Sequence, residues 1–291
     1  MFDAGSASRH DHSHSRRRDR RRSRWVLLVI VLAVVALGAG VVVGLGAASR
    51  WWNSAVPAPS VPPPVLPGAP TPTPQPSASP LLVPGQGYDI SYPQCGDPLP
   101  KAGSFGIVGV NGGAPLTSNK CLSEQSAWAQ TRTARALYIN TAYSGQGDPV
   151  AYGRRLVDDA VARKNAAGVP KTGVWWLDVE TTNAWRGSTQ QNATVLSSMA
   201  VRLQELGVRV GIYSTPQQFE EIAGTWEPGL PVWNATGPGT QAAAVAACSE
   251  SFAGSRTAMV QWIDRESNRD LDHNLICPAW RNRAGELLDP N

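Results

Sequence analysis

The chain has 291 residues, of which 42% are hydrophobic and 16% charged, and its formal net charge is +4. Residues 1–24 carry eight Arg and three Asp, whereas the chain from residue 25 onward has 18 basic and 19 acidic residues. The positive charge is therefore confined to the N-terminal tail, which argues against nucleic acid as a partner of the folded part. The uncharged run 25–48 also excludes a plain soluble cytoplasmic enzyme.

Residues 25–48 contain 24 consecutive uncharged and mostly apolar residues. A helix of that length measures about 36 Å, enough to cross the ~30 Å hydrocarbon core of a bilayer. Because the Arg-rich residues 1–24 precede it, the positive-inside rule predicts a basic, disordered cytoplasmic tail and an exported C-terminal part. The segment is therefore predicted to be a single-pass signal-anchor in the cell membrane. The alternative is a cleaved signal peptide and a secreted protein, although such an apolar core usually has only ~7–15 residues.

The next segment, residues 49–84, is predicted to be an extracellular linker. Residues 57–84 contain 12 Pro, and Pro both lacks the backbone N–H and restricts φ, so helix and sheet are excluded. A stiff extended spacer of this length would reach about 85 Å. The folded domain is then expected over residues 85–291.

All four cysteines, Cys95, Cys121, Cys248 and Cys277, lie in the predicted exported domain. An even number in an oxidising compartment favours two disulfides, and four cysteines allow three pairings. We favour Cys95–Cys121 and Cys248–Cys277, each of which would link neighbouring ends of the domain. Free buried thiols are the alternative, while zinc is disfavoured because no C-x-x-C spacing is present.

Short β-branched or aromatic runs bounded by Gly, Pro and Ser predict eight strands in the domain. They are Gly87–Ser91, Phe105–Asn111, Ala136–Thr141, Gly173–Glu180, Val208–Ser214, Pro231–Ala235, Ala258–Asp264 and Asp270–Ile276. Helical patterns occupy 123–133, 149–167, 189–206, 216–223 and 241–248. Strands that alternate with helices indicate parallel β/α units. The predicted fold class is therefore α/β, an irregular (β/α) TIM-type barrel in which some helices near the end are missing.

The active site of such a barrel lies at the C-terminal ends of its strands, and acidic residues occur at several of these ends. The run Gly173–Glu180 is the most informative, since alternation puts Trp176, Asp178 and Glu180 on one face. Two carboxylates about 6.6 Å apart on the interior face of an apolar strand suit cleavage of a glycosidic bond. Glu180, at the strand tip, is the better candidate for the general acid, and Asp178 is expected to stay ionised. A structural role for this pair is the alternative.

Aromatic residues near the strand ends suggest a sugar site, because aromatic faces stack on sugar rings. Trp233 and Trp262 are the stronger binding candidates, whereas Trp128, Trp175 and Trp226 are expected in the core. The remaining candidate substrate-binding residues are Asn140, Tyr213, Asn234 and Asp272. The sequence has no G-x-S-x-G, H-E-x-x-H or phosphate-binding motif, and no metal or cofactor is expected.

The order of motifs GYDIS (87–91), LDVE (177–180), GIYS (211–214), PVWNA (231–235), QW (261–262) and DLD (270–272) resembles that of family 25 glycoside hydrolases. It is also similar to that of exported glycoside-hydrolase-like domains of high-GC Gram-positive bacteria. The resemblance implies a lysozyme fold and muramidase activity. It implies Glu180 as proton donor, Asp178 as assisting carboxylate, and Asp89 and Asp270 as acids of the first and last strands. The second and third strands depart from the family pattern at 110–113 and 138–141.

These observations predict a membrane-anchored, extracellular glycoside hydrolase that acts on peptidoglycan or a related cell-wall glycan. We expect a monomer. The alternative is a catalytically inactive barrel that binds glycan or serves as an envelope scaffold. The two differ in whether the acids of strands one, four and eight converge on one open cleft.

Overall fold

The structure is a computed structural model that describes residues 68–75, 85–266 and 269–291. Ten strands are present in this part of the chain, eight of them in a closed barrel. They are β1 (Gln86–Ile90), β2 (Phe105–Gly109), β3 (Ala134–Asn140), β4 (Val174–Asp178), β5 (Arg209–Ser214), β6 (Val232–Pro238), β7 (Ser251–Phe252), β8 (Ser255–Glu266), β9 (Arg269–Ile276) and β10 (Asp289–Pro290).

Five α-helices connect the strands within the described residues. They are α1 (Leu122–Gln130), α2 (Pro149–Ala166), α3 (Thr189–Glu205), α4 (Pro216–Ala223) and α5 (Gln241–Ala246). Side chains cap several helix starts, as Asp148 does for α2, Ser188 for α3 and Thr215 for α4. These caps satisfy backbone N–H groups that have no partner within the helix. Each of the five predicted helices is therefore present, with ends shifted by a few residues.

The barrel closes in the order β1-β2-β3-β4-β5-β6-β8-β9 and back to β1. Its strands are parallel except for β9, which runs antiparallel to both β8 and β1. The expectation of parallel β/α units is wrong for this last strand. Only two residues, 267 and 268, separate β8 from β9. A connection of that length makes a hairpin, whereas a parallel crossover needs a dozen or more residues.

Two apolar clusters follow from the alternation of side chains along the strands. Trp176 of β4 packs inside the barrel with Phe105, Ile107 and Trp233. Trp175 and Leu177 face the other way and pack against α2 and α3 residues. Trp128, Trp175 and Trp226 belong to or pack against this second cluster, as the sequence predicts.

The domain contains two disulfides, and both have the predicted pairing. Cys95 is bonded to Cys121, and Cys248 to Cys277. The first joins the loop after β1 to the residue before α1. No free cysteine is found in the described residues.

Among the residues that the structure describes, no helix is both long and apolar enough to cross a membrane. The predicted cytoplasmic tail (1–24) and signal-anchor (25–48) lie outside these residues. Of the predicted linker 49–84, only residues 68–75 are described.

Gly211 permits close packing in the barrel interior. Trp176 is its cross-strand neighbour and is fully buried, and a Cβ added at Gly211 would lie 2.3 Å from the Trp176 ring. We expect Gly211→Ala to lower the free energy of unfolding by about 1–3 kcal/mol, since overpacking a tight core displaces side chains.

Denaturant unfolding of the parent and the variant measures this change. Gly239→Ala is the control, because a Cβ there meets no atom within 4 Å. Equal losses in the two variants would contradict the packing argument.

Candidate active site

A cavity of about 440 Å³ opens at the C-terminal ends of the parallel strands. Four acidic residues line it, with polar and aromatic side chains around them. The lining residues include Asp89, Tyr92, Tyr138, Asn140, Asp178, Glu180, Asn183, Tyr213, Trp233, Gln261, Ile263 and Asp272. None of the described lining residues is Lys, Arg or His. The acids of β1, β4 and β9 therefore converge without a basic partner in the wall of the cavity.

Asp178 is the last residue of β4 and is only 3% exposed. The side-chain amide of Asn140 on β3 donates a hydrogen bond to its Oδ2. The Asn183 amide lies 3.5 Å from its Oδ1. Burial raises the pKa of Asp178 well above its ordinary value, and the neighbouring Glu180 raises it further. The two amides act in the opposite direction, since they stabilise the charged form.

Glu180 lies two residues beyond Asp178, just past the end of β4, and is half-buried. Its backbone carbonyl accepts hydrogen bonds from Asn183 N (3.1 Å) and from Trp185 Nε1 (3.0 Å). The backbone of Val179 bonds to β5: its N donates to Tyr213 O at 2.8 Å, and its O accepts from Ser214 Oγ at 2.6 Å. These bonds fix the backbone on both sides of the carboxyl group. Burial raises the pKa of Glu180.

Asp89 and Asp272 are directly opposite each other on β1 and β9. Asp89 Oδ2 accepts from Gln261 Nε2 at 2.9 Å and from Asn274 Nδ2 at 2.6 Å, and Gln261 Oε1 accepts from Tyr213 Oη at 2.8 Å. Burial and then Asp272 raise the pKa of Asp89 well above its ordinary value. Burial, followed by Glu180 and Asp270, raises the pKa of Asp272 to about 6.

One rim of the cavity is formed by the 3₁₀ turn Tyr92–Gln94. Gln94 Oε1 accepts from Ser91 N at 2.9 Å, and Cys95, which follows the turn, is in a disulfide. Tyr92 is 48% exposed. The hydroxyl end of its ring lies beside Gly113, where an added Cβ would be 2.5 Å from a ring carbon. The rim therefore presents a half-exposed aromatic ring from a firmly held turn.

The structure brings most of the predicted site residues into this cavity. They are Asp89, Asn140, Asp178, Glu180, Tyr213, Trp233 and Asp272. Asp178 was expected to remain ionised, but its raised pKa favours protonation relative to an ordinary Asp.

Three predicted residues do not line the cavity. Asp270 lies beyond the last residue of β9 that pairs with β1. Its side chain is 63% exposed and forms an ion pair with Arg265 at 3.1 Å. The antiparallel course of β9 brings Asp272 opposite Asp89 instead. Trp262 and Asn234 alternate with the cavity-lining Gln261 and Trp233, so they face the other side of their strands. Trp262 stacks on His273 with centroids 5.2 Å apart, and Asn234 donates to Glu250 Oε2 at 2.8 Å.

Four residues at the site are not predicted from the sequence: Tyr92, Tyr138, Asn183 and Asn274. A fifth, Gln261, is noted only as part of the QW motif and is given no binding role. Two of them follow a simple rule, since Tyr138 and Asn274 lie two positions from Asn140 and Asp272 and share their faces. Burial of the Tyr138 and Tyr213 phenols, aided by nearby acids, raises the pKa of both well above its ordinary value. Among the described residues, no group of three or more His, Cys, Asp or Glu side chains could hold a metal ion.

Comparison with known proteins identifies lysozyme-like relatives of this domain. Residues 117–261 match a sequence family described as "Lysozyme-like protein 1". This range contains Asn140, Asp178, Glu180, Tyr213 and Gln261. A "Probable GH family 25 lysozyme 4" of Dictyostelium discoideum is 31% identical over 71 residues, which are 24% of this chain and 33% of that protein. The match therefore spans about a third of the length of this relative.

Solved structures are similar at lower identity. A family 25 glycosyl hydrolase from Bacillus anthracis is 16% identical, with a TM-score of 0.48 over 66% of this chain and 88% of that one. A muramidase from Acremonium alcalophilum is 17% identical, with a TM-score of 0.49 over 69% of this chain and 98% of that one.

The acid-lined barrel thus has a lysozyme-like sequence over residues 117–261. The domain therefore resembles family 25 lysozymes in sequence over part of its length.

The raised pKa of Asp272 makes stability depend on pH. An Asp whose pKa is raised by folding binds more protons folded than unfolded, so its contribution is complete below pH ~4 and is lost as the pH rises through about 6. We expect the free energy of unfolding of Asp272→Asn to exceed that of the parent by about 1–3 kcal/mol at pH 7 and to equal it near pH 4.

Urea unfolding between pH 4 and pH 7 measures this difference. Asp270→Asn is the matched control on the same strand. Its free energy of unfolding should change with pH almost as the parent's does, because Asp270 is the smallest of the three causes of the raised Asp272 pKa. If Asp272→Asn lost as much free energy over this range as the parent, the assignment would be wrong.

Proposed function

We propose that the barrel is a glycoside hydrolase that cleaves peptidoglycan or a related cell-wall glycan, with Glu180 as its general acid. The observation that carries this proposal is the pair Asp178 and Glu180 at the end of β4. One carboxyl is deeply buried and held by amides, and the other is half-buried at the mouth of the same cavity. Two carboxyl groups in different environments are what hydrolysis of a glycosidic bond requires.

Glu180 is the proton donor in this proposal because burial keeps its carboxyl protonated at higher pH than usual. It stands closer to solvent than Asp178, past the end of the strand, where a leaving oxygen can reach it. As the proton passes to that oxygen, the bond between the oxygen and the anomeric carbon breaks, and the sugar ring carries positive charge until a water molecule adds to it. With both acids in one cavity, charge on one carboxyl disfavours charge on the other, so the pair retains a proton at a higher pH than an isolated carboxyl group would.

Asp178 assists by a different route. Its hydrogen bonds from Asn140 and Asn183 point its oxygens in fixed directions, so it can either orient a substrate amide or stabilise the charge on the ring. In their ionised forms, Asp89 and Asp272 add negative potential on the opposite wall. Such fixed groups stabilise a developing positive charge without having to reorganise.

The lining of the cavity also favours a glycan over an anionic ligand. Four acidic residues and no described basic residue would repel a phosphate or nucleotide. The half-exposed ring of Tyr92 at the rim is available to contact a sugar ring. The relatives named above as a lysozyme and a muramidase make a cell-wall glycan the first substrate to test.

Reducing ends released from purified peptidoglycan provide the test, using the full-length protein in detergent micelles. We expect Glu180→Gln to lower the rate by at least about 100-fold, the usual contribution of a general acid. Glu221→Gln is the control, since it makes the same chemical change on the exposed surface of α4 and should leave the rate unchanged.

If the parent released no ends from several wall types but still bound insoluble wall, hydrolysis of those substrates would be rejected. The inactive glycan-binding barrel would then be the better description. Equal rates for the parent and Glu180→Gln would instead reject Glu180 as the acid.

We also propose that residues 25–48 anchor the protein in the cell membrane, with the barrel outside. The support is the sequence alone, in the uncharged run and the Arg residues that precede it. The full chain should sediment with membranes and resist extraction by high salt. Release into the medium of a product that begins near residue 49 would indicate cleavage and secretion instead.

A further inference from the structure

A short part of the Pro-rich linker lies against the barrel in an ordered way. Both backbone polar groups of Thr73 bond to one side chain of α3. Thr73 N donates to Gln204 Oε1 at 3.1 Å, and Gln204 Nε2 donates to Thr73 O at 2.9 Å. Ser197, also on α3, donates its hydroxyl hydrogen to Pro70 O. Pro72, between these two contacts, is buried.

The spacing of these contacts fits an extended chain lying along a helix. Ser197 and Gln204 are seven residues apart, about 10.5 Å along α3 at ~1.5 Å per residue. Pro70 and Thr73 are three residues apart, about 9 Å in an extended polyproline conformation. The two distances therefore match closely enough for both contacts to form together.

Gln75 makes the most specific contact, because its side-chain amide pairs with the backbone of Val210 in β5. Its Nε2 donates to Val210 O at 2.9 Å, and its Oε1 accepts from Val210 N. Val210 is only 1% exposed. A side-chain amide thus takes the place that a peptide group of a neighbouring strand would take.

The geometry of the barrel explains why no neighbouring strand bonds to the backbone of Val210. On β5, Arg209 N bonds to Gly173 O on the β4 side, whereas Ile212 N bonds to Pro231 O on the β6 side. Alternation along a parallel strand therefore turns the peptide groups of Val210 towards β6. Pairing of β5 with β6, however, begins only at Ile212. Without Gln75, these buried backbone groups would lack a partner, which costs free energy comparable to a lost hydrogen bond.

We propose that residues 70–75 form a fixed strap of the folded domain, seated on α3 and β5 by the amides of Gln75 and Gln204. The folded unit then starts at residue 70, ahead of the predicted boundary at residue 85. The strap itself does not depend on the proposed hydrolase function. Together with the proposed anchor, it shortens the stretch of chain that remains available as a spacer from 57–84 to 57–69.

Hydrogen–deuterium exchange of the full-length protein in micelles tests the strap, using fragmentation that resolves single amides. In Gln75→Ala we expect the Val210 amide to exchange at least about tenfold faster, while the Ile212 amide, bonded to Pro231, stays at the parent rate. In Gln204→Ala we expect the Thr73 amide to exchange faster by a similar factor. Gln190→Ala is the matched control, because Gln190 is exposed on the first turn of the same helix and should change neither amide.

A Val210 rate in Gln75→Ala within about twofold of the parent would overturn the proposal. So would an unchanged Thr73 rate in Gln204→Ala, a surface substitution that should not affect folding. Activity on peptidoglycan serves as an independent readout, since Val210 lies at the start of β5 and the cavity at its end. Loss of the strap with activity retained separates this inference from the proposed function.

Discussion

Four carboxyl groups share one cavity in this barrel, and no described residue of its lining carries a positive charge. Burial alone would raise their pKa values, and their mutual repulsion raises several of them further. The side-chain amides of Asn140, Gln261 and Asn274 partly offset this by donating hydrogen bonds to Asp178 and Asp89. The cavity therefore holds protons at pH values where ordinary Asp and Glu are ionised, which is the property a general acid needs.

The shape of the barrel follows from how its last strand returns. Because β9 runs antiparallel, its beginning lies at the same end as the C-terminal ends of the other strands. Asp272 thereby joins Asp89, while Asp270 projects past the rim and pairs with Arg265. A parallel last strand would have placed the opposite end of this segment at the cavity. The two-residue connection between β8 and β9 thus decides which acid enters the site.

Much of the fold could be predicted from local pattern. The eight strands and five helices follow from short apolar runs and from capping residues such as Asp148 and Ser188, and both disulfide pairings were anticipated. At the site, the alternation along β4 correctly put Trp176, Asp178 and Glu180 on one face. It did not decide between Trp233 and Asn234, or between Gln261 and Trp262. In each pair both residues are polar or aromatic, so either face could have been the inner one.

The sequence by itself determined which residue types were available, their alternation along each strand, and the likeness to a lysozyme family, because these depend on neighbours along the chain. Only the tertiary structure decided that Asp272 faces Asp89, that Tyr92 forms the rim, and that Gln75 pairs with Val210. Each of these contacts joins residues that are distant in sequence or depends on the direction of a strand. No local pattern records such distances, because they are set by how the barrel closes and by which backbone groups that closure leaves unpaired.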